Sequence, residues 1–245
     1  KGAEFRFARL FDDITAPSNQ EWCAAREREG AAARASLLAE IETWPRRPKV
    51  VIEIGDGSAS AVQNTRASVD AQSLPDFRVV AAGWVPSASE GIDTVWMWVA
   101  AGVRLDCDAA LHMVRPFAFD PNAAAAYCDE DELDRRGRRS RPIFRTAWSR
   151  ALAEDGGLTP MFVAIRADRL AGAPDASDST DALLLHAANE GAAVAHVPRV
   201  LAHRPSGAVR RGTRVRPAPA LEPSDRPEIS VVIPSRDRAD LLSEC

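Results

Sequence analysis

Apolar and polar positions sort this chain into alternating helix-like and strand-like stretches. Residues 20–44 are rich in Ala, Glu, Arg and Leu and set Leu37, Leu38 and Ile41 on one face, which predicts a helix that Pro45 and Pro48 end. Residues 50–54 (Val-Val-Ile-Glu-Ile) form a β-branched run that reads as a buried parallel strand. The turn Gly55-Asp56-Gly57-Ser58 follows, and Ser58 or Ser60 caps a helix expected to run to about residue 72. Pro75-Asp76 breaks it, and residues 77–81 read as a second strand. A β-α-β unit within so short a stretch predicts a parallel sheet in an α/β fold.

Further on, residues 94–99 read as a third strand, 109–117 as a helix and 123–127 as a short strand ending in Asp129-Glu130-Asp131-Glu132. Residues 135–149 read as a loop with a hairpin-like excursion, 161–165 as a strand, 181–189 as a helix and 193–197 as a closing strand. Residues 205–226, rich in Pro, Arg, Gly and Ala, read as a linker. A weak repeat links the two ends. Arg47-Pro48-Lys49 leads into the run at 50–54, and Arg226-Pro227-Glu228 leads into Ile229 to Ile233. Two tandem domains that begin alike are expected. The missing initiator Met and the broken pattern at Cys245 read as ends cut from something longer.

Charge and cysteines narrow the classes. The formal net charge is −4 with both signs interspersed, which leaves no footprint for nucleic acid. The basic block Arg135-Arg136-Gly137-Arg138-Arg139 sits beside the acidic run at 129–132, so a solvated, charge-paired loop is its plain reading. The four cysteines are far apart, without a CxxC pair, which argues against zinc and disulfides and for a cytoplasmic setting. No stretch is long and apolar enough for a transmembrane helix.

Several motifs in order carry a resemblance. Glu228-Ile229-Ser230-Val231-Val232-Ile233-Pro234-Ser235-Arg236-Asp237-Arg238 resembles the opening of a family-2 glycosyltransferase. Trp22 with Glu27, the segment Ser68 to Phe77, and Tyr127-Cys128-Asp129-Glu130-Asp131-Glu132-Leu133-Asp134 with Gly137-Arg138-Arg139, Pro142-Ile143-Phe144 and Trp148-Ser149 resemble rhamnosyltransferase-like members. Ala195-His196-Val197-Pro198 through His203 resembles their closing strand and its His-bearing tail.

The resemblance implies a GT-A fold, Rossmann-like with a mainly parallel central sheet. It implies a helical leader at 1–47, a GT-A-like domain at 48–204, the linker at 205–226 and the first strand of a second, truncated glycosyltransferase domain at 227–245. The implied activity is inverting transfer of a sugar from a nucleotide-sugar donor to a growing cell-surface glycan in bacteria. The implied partners are the nucleotide-sugar donor, the glycan acceptor and the second glycosyltransferase domain of the same chain, with the protein at the inner face of the membrane. Such chemistry needs a carboxylate base for the acceptor hydroxyl. It usually needs a divalent cation, Mg²⁺ or Mn²⁺, to offset charge on the leaving diphosphate.

The chain departs from that pattern. Ala81-Ala82-Gly83 stands where an acidic pair is expected after the second strand, and Ala100-Ala101-Gly102-Val103 where metal-binding acids are expected after the third. Only residues 85–94 remain where the family has a longer stretch that helps form the nucleotide pocket. The candidates left are Asp181 as base, Asp56 in the first strand's turn as cofactor-binding residue, and Asp129, Asp131 and His203 as metal ligands. Asp181 also reads as a charge at a helix N-terminus. His112, His186 and His196 lie on regular elements, and Trp96, Trp98 and Trp148 read as packing residues rather than sugar platforms. The first domain is therefore expected to be weakly active or inactive. Two other readings stand beside it. One is a non-catalytic GT-A-like scaffold or glycan-binding module. The other is a methyltransferase using S-adenosylmethionine, because Gly55-Asp56-Gly57 follows a strand.

Overall fold

The computed structural model describes residues 18–84 and 91–208. The repeat at 226–233, the linker beyond residue 208 and the start of a second domain lie outside the described residues. Helix α1 (Asn19–Ile41) opens on a capping box: Ser18 Oγ accepts the Glu21 N–H at 3.3 Å and Glu21 Oε2 accepts the Ser18 N–H at 2.7 Å. There follow β1 (Lys49–Ile54), α2 (Ala59–Asp70), β2 (Phe77–Val80), β3 (Thr94–Val99), β4 (Arg104–Leu105) and α3 (Ala109–Phe119). The second half holds β5 (Ala123–Leu133), β6 (Arg139–Ile143), α4 (Arg150–Glu154), β7 (Phe162–Arg166), α5 (Thr180–Ala187) and β8 (Ala193–Pro205).

One sheet orders these strands β2-β1-β3-β7-β5-β8-β4, with β6 added beside β5. β1 runs parallel to β2 and β3, and β5 runs parallel to β8 in the longest ladder. β7 enters antiparallel between β3 and β5. The sheet has two covered faces. Val50, Ile52, Val95, Met97 and Val99 pack with Val69 of α2 and Leu111, Met113 and Val114 of α3, and Leu37, Leu38 and Ile41 of α1 lie against that cluster. Val51, Trp96, Trp98, Tyr127, Val163 and Ile165 pack on the other face with Ala153 of α4 and Leu183 and Leu184 of α5. All six β3 residues are buried, as a strand covered on both faces requires.

β5 and β8 are longer than the alternation predicts. β5 continues through the acidic run to Leu133, and β8 through His203 to Pro205. The 135–149 excursion is in part strand β6, which folds back on β5 with Glu132 opposite Ser140.

Candidate functional site

β1, β2 and β3 point the same way, so the turns that follow them meet at one edge. In a parallel α/β sheet that edge is where ligands bind. Here two contacts close it. A Cβ added at Gly57 would lie 2.6 Å from Ala101 Cβ, and one at Gly55 would lie 2.7 Å from Trp98 Cζ2. The turn after β1 therefore rests directly on the end of β3. Gly102, at φ +91°, donates its N–H to Thr65 Oγ1 at 2.8 Å and to the Ala61 carbonyl at 3.2 Å, tying the β3 end to α2. Asp56, the expected cofactor-binding residue, is exposed on this turn.

The turn after β2 is closed by a side chain. Glu53 interrupts the apolar run of β1 and is 6% exposed. Its Oε1 accepts the Gly83 N–H at 2.8 Å, and its Oε2 accepts the Trp96 indole N–H at 2.9 Å. Burial raises its pKa, against the pull of these hydrogen bonds. Ala81-Ala82-Gly83 offers no acid to a ribose, and the carboxylate beneath it is committed to protein donors.

The acidic run is not a solvated loop. Asp129, Glu130, Asp131 and Glu132 are 4%, 1%, 1% and 3% exposed, and each has its own partners. Asp129 Oδ1 is 2.8 Å from His196 Nε2 and accepts the Arg145 N–H at 2.8 Å. The His196 ring stacks on Tyr127, which sits opposite it across the β5/β8 ladder. Glu130 accepts the Met161 N–H and pairs with Arg145 at 2.9 Å, and burial raises its pKa. Asp131 Oδ1 is 2.6 Å from His203 Nδ1, and its Oδ2 accepts from Arg139 Nε at 2.6 Å. Glu132 binds Arg204 at 3.0 Å. Of the basic block, Arg139 is drawn into this network while Arg138 pairs with Asp134.

The expected metal set is thus divided. Asp131 and His203 meet, but Asp129 is engaged by His196, and both oxygens of Asp131 are taken by a guanidinium and an imidazole. Among the described residues, the group of three such side chains with ligand atoms within 4.8 Å of one another is Asp106, Cys107 and Asp108 instead. There Arg34 already lies where a cation would, with Nε 2.8 Å from Asp108 and Nη2 2.7 Å from Cys107 Sγ. Neither set fits a divalent cation, because Asp129 and Asp131 in the one, and Asp108 and the Cys107 thiol in the other, are already engaged by arginine and histidine side chains.

Asp181, the expected base, lies in the first turn of α5 and is 1% exposed. Both its oxygens accept the Thr159 N–H at 3.1 Å, and Thr180 Oγ1 donates to the Pro160 carbonyl at 2.9 Å. Thr159 has φ +42°, a left-handed conformation costly for a β-branched residue, so this helix end anchors a bent loop. Trp96 and Trp98 are buried packing residues, and Trp148 is half-buried against the same cluster.

Sequence reasoning overlooked Glu53 and Arg145, and it set His196 aside as a residue of a regular element. Glu53 did leave a signal: a charged residue inside a buried β run demands partners. The other two left none, because their partners lie 16 and 67 residues away.

No family model matches the chain. It is 24% identical over 298 aligned positions to the O-antigen biosynthesis protein RfbC of Myxococcus xanthus, covering 90% of this chain. The chain spans 23% of that relative's length. Among solved structures it is similar to TarS 1–349 of S. aureus, with TM-score 0.40 and 12% identity over 65% of this chain and 60% of that one. It is likewise similar to the mannosyltransferase PcManGT from Pyrobaculum calidifontis, solved with GDP-Man and Mn²⁺, with TM-score 0.40 and 13% identity over 74% and 68%. Among the described residues, no helix is long and apolar enough to cross a membrane.

Proposed function

We propose that this chain, whose α/β fold is GT-A-like, is a glycosyltransferase-like domain of a longer protein that builds a bacterial surface polysaccharide, and that its own donor transfer is weak or absent. The observation that carries the second half is the contact of Gly57 with Ala101, backed by Glu53 under Gly83. A diphosphate needs a gap and a counter-charge at those strand ends, and among the described residues there neither is supplied. Loss of one electrostatic partner of a transition state costs on the order of 10²–10³ in rate. Here the acids after both strands are alanine or glycine. Similarity to an O-antigen biosynthesis protein supports the first half of the reading.

In this reading the domain works as a scaffold or glycan-binding module beside a second glycosyltransferase domain, at the inner face of the membrane. Asp129, Asp131, Asp181 and His203 hold strands and loops in place rather than substrate. The methyltransferase reading loses its footing on the same contact, because the Gly55-Asp56-Gly57 turn is packed against Trp98 and Ala101.

Assay of the chain with UDP-, GDP- and dTDP-sugars, with Mn²⁺ and a glycan acceptor, tests this. Nucleotide release at background rate is expected. Release well above background, abolished by Asp181→Asn without loss of fold, would restore a catalytic role.

A further inference from the structure

The β5/β8 ladder slips where β8 passes the acidic run. Cys128 lies opposite Val197, but the next residue, Asp129, lies opposite Val200. Pro198 and Arg199 are thereby left out of the pairing as a bulge, and both are exposed. A bulge of this kind re-aims a side chain. It borders a cleft of about 430 Å³, lined by His112, Arg115, Pro116 and Phe119 of α3, Leu37 and Glu40 of α1, and His196 to Arg199 of β8.

The charges in this cleft are uneven. Among the described residues no carboxylate pairs with Arg199. The one acid lining the cleft, Glu40, is held by Arg115 through Nε at 3.0 Å and Nη2 at 2.8 Å. The His196 ring is turned away to Asp129 and Tyr127. Behind His112, Asp106 and Asp108 favour its protonation, although Asp108 is neutralised by Arg34. Burial, and then the Arg199 guanidinium, hold the His112 imidazole below its ordinary value, with Arg115 acting the same way. Two cationic or proton-accepting groups thus share a cleft whose acid is already spent.

We infer that the cleft between α3 and the β8 bulge binds an oxyanion, a phosphate or sugar carboxylate, through Arg199 and His112. The guanidinium offers paired donors in the geometry such a group accepts. A protonated His112 adds a further charge-assisted donor. The site lies away from the strand ends after β1 and β3, so it stands whether or not the nucleotide-sugar reading does.

The test follows the His112 ring by NMR across a pH titration of the chain, at matched ionic strength, with chloride, inorganic phosphate or glucuronate, and with glucose as a neutral control. His112→Asn identifies the resonance. Phosphate or glucuronate should raise the His112 midpoint, Arg199→Ala should weaken that anion about tenfold, and Arg199→Lys should keep part of the affinity. Response to phosphate alone marks a phosphorylated ligand, and response to glucuronate marks an acidic glycan. A midpoint that neither anion moves beyond chloride, or an equal shift in Arg199→Ala, overturns the inference.

Discussion

Glu53 reaches from the middle of β1 to the turn after β2, and its Oε1 accepts the Gly83 N–H at 2.8 Å. A buried acid thus binds the protein's own backbone beside the edge where a parallel α/β sheet binds ligands. Its burial has a pH consequence. The raised pKa means that the native state holds this proton to higher pH than the unfolded chain does. Stability from this group is therefore greatest below the ordinary glutamate value, about 4.3, and falls as pH rises through the raised native value. Glu130 acts in the same sense. Urea unfolding at a series of pH values should show Glu53→Gln with a shallower fall over that window than the parent chain. Parallel curves for the two proteins would contradict this.

Gly57 and Ala101 make a paired prediction. Gly57→Ala overpacks the contact and should cost about 1–3 kcal/mol. Adding Ala101→Gly should recover much of that loss, and a double-mutant cycle in urea reads the coupling. Additive losses would mean that the two turns do not touch.

Asp131 holds two buried cationic or proton-accepting partners, Arg139 and His203. Asp131→Ala takes from Arg139, whose side chain is 7% exposed, its buried carboxylate partner and leaves it the exposed Glu27. A loss of about 3–5 kcal/mol is expected from breaking a buried pair. Thermal unfolding checks the value. It should be the same with and without Mn²⁺, whereas a metal site would make the parent chain's melting temperature rise with Mn²⁺.

Asp181→Ala should destabilise by about 1–3 kcal/mol, because it strands the Thr159 N–H in a loop whose conformation resists a β-branched residue. Hydrogen exchange should localise the loosening to residues 157–161. A variant as stable as the parent, with no local change, would argue against the anchoring role.

Local pattern was enough for much of the fold. The run Thr94–Val99 is the third strand as written, and Leu37, Leu38 and Ile41 do face the core. The first helix after β1 begins at the Ser58 cap. What local pattern missed is the state of Asp129 to Glu132. Four adjacent acids look solvated beside a basic block, yet all are buried, and three of them, Asp129, Asp131 and Glu132, meet His196, His203 and Arg204 on β8, 67 to 72 residues later. Strand pairing at that distance leaves no local trace. The missing acids after β2 and β3 were plain in Ala81-Ala82-Gly83 and Ala100-Ala101-Gly102, but nothing there said that the space would be filled by Glu53, Trp98 and Ala101.

The closure of the β1 and β3 ends is most directly tested by calorimetric titration of the chain with UDP-, GDP- and dTDP-sugars, in the presence and absence of Mn²⁺. No heat of binding at millimolar nucleotide sugar is expected in either condition. Saturable, Mn²⁺-dependent binding that Gly57→Leu abolishes in a folded protein would place a nucleotide at those strand ends and contradict their closure.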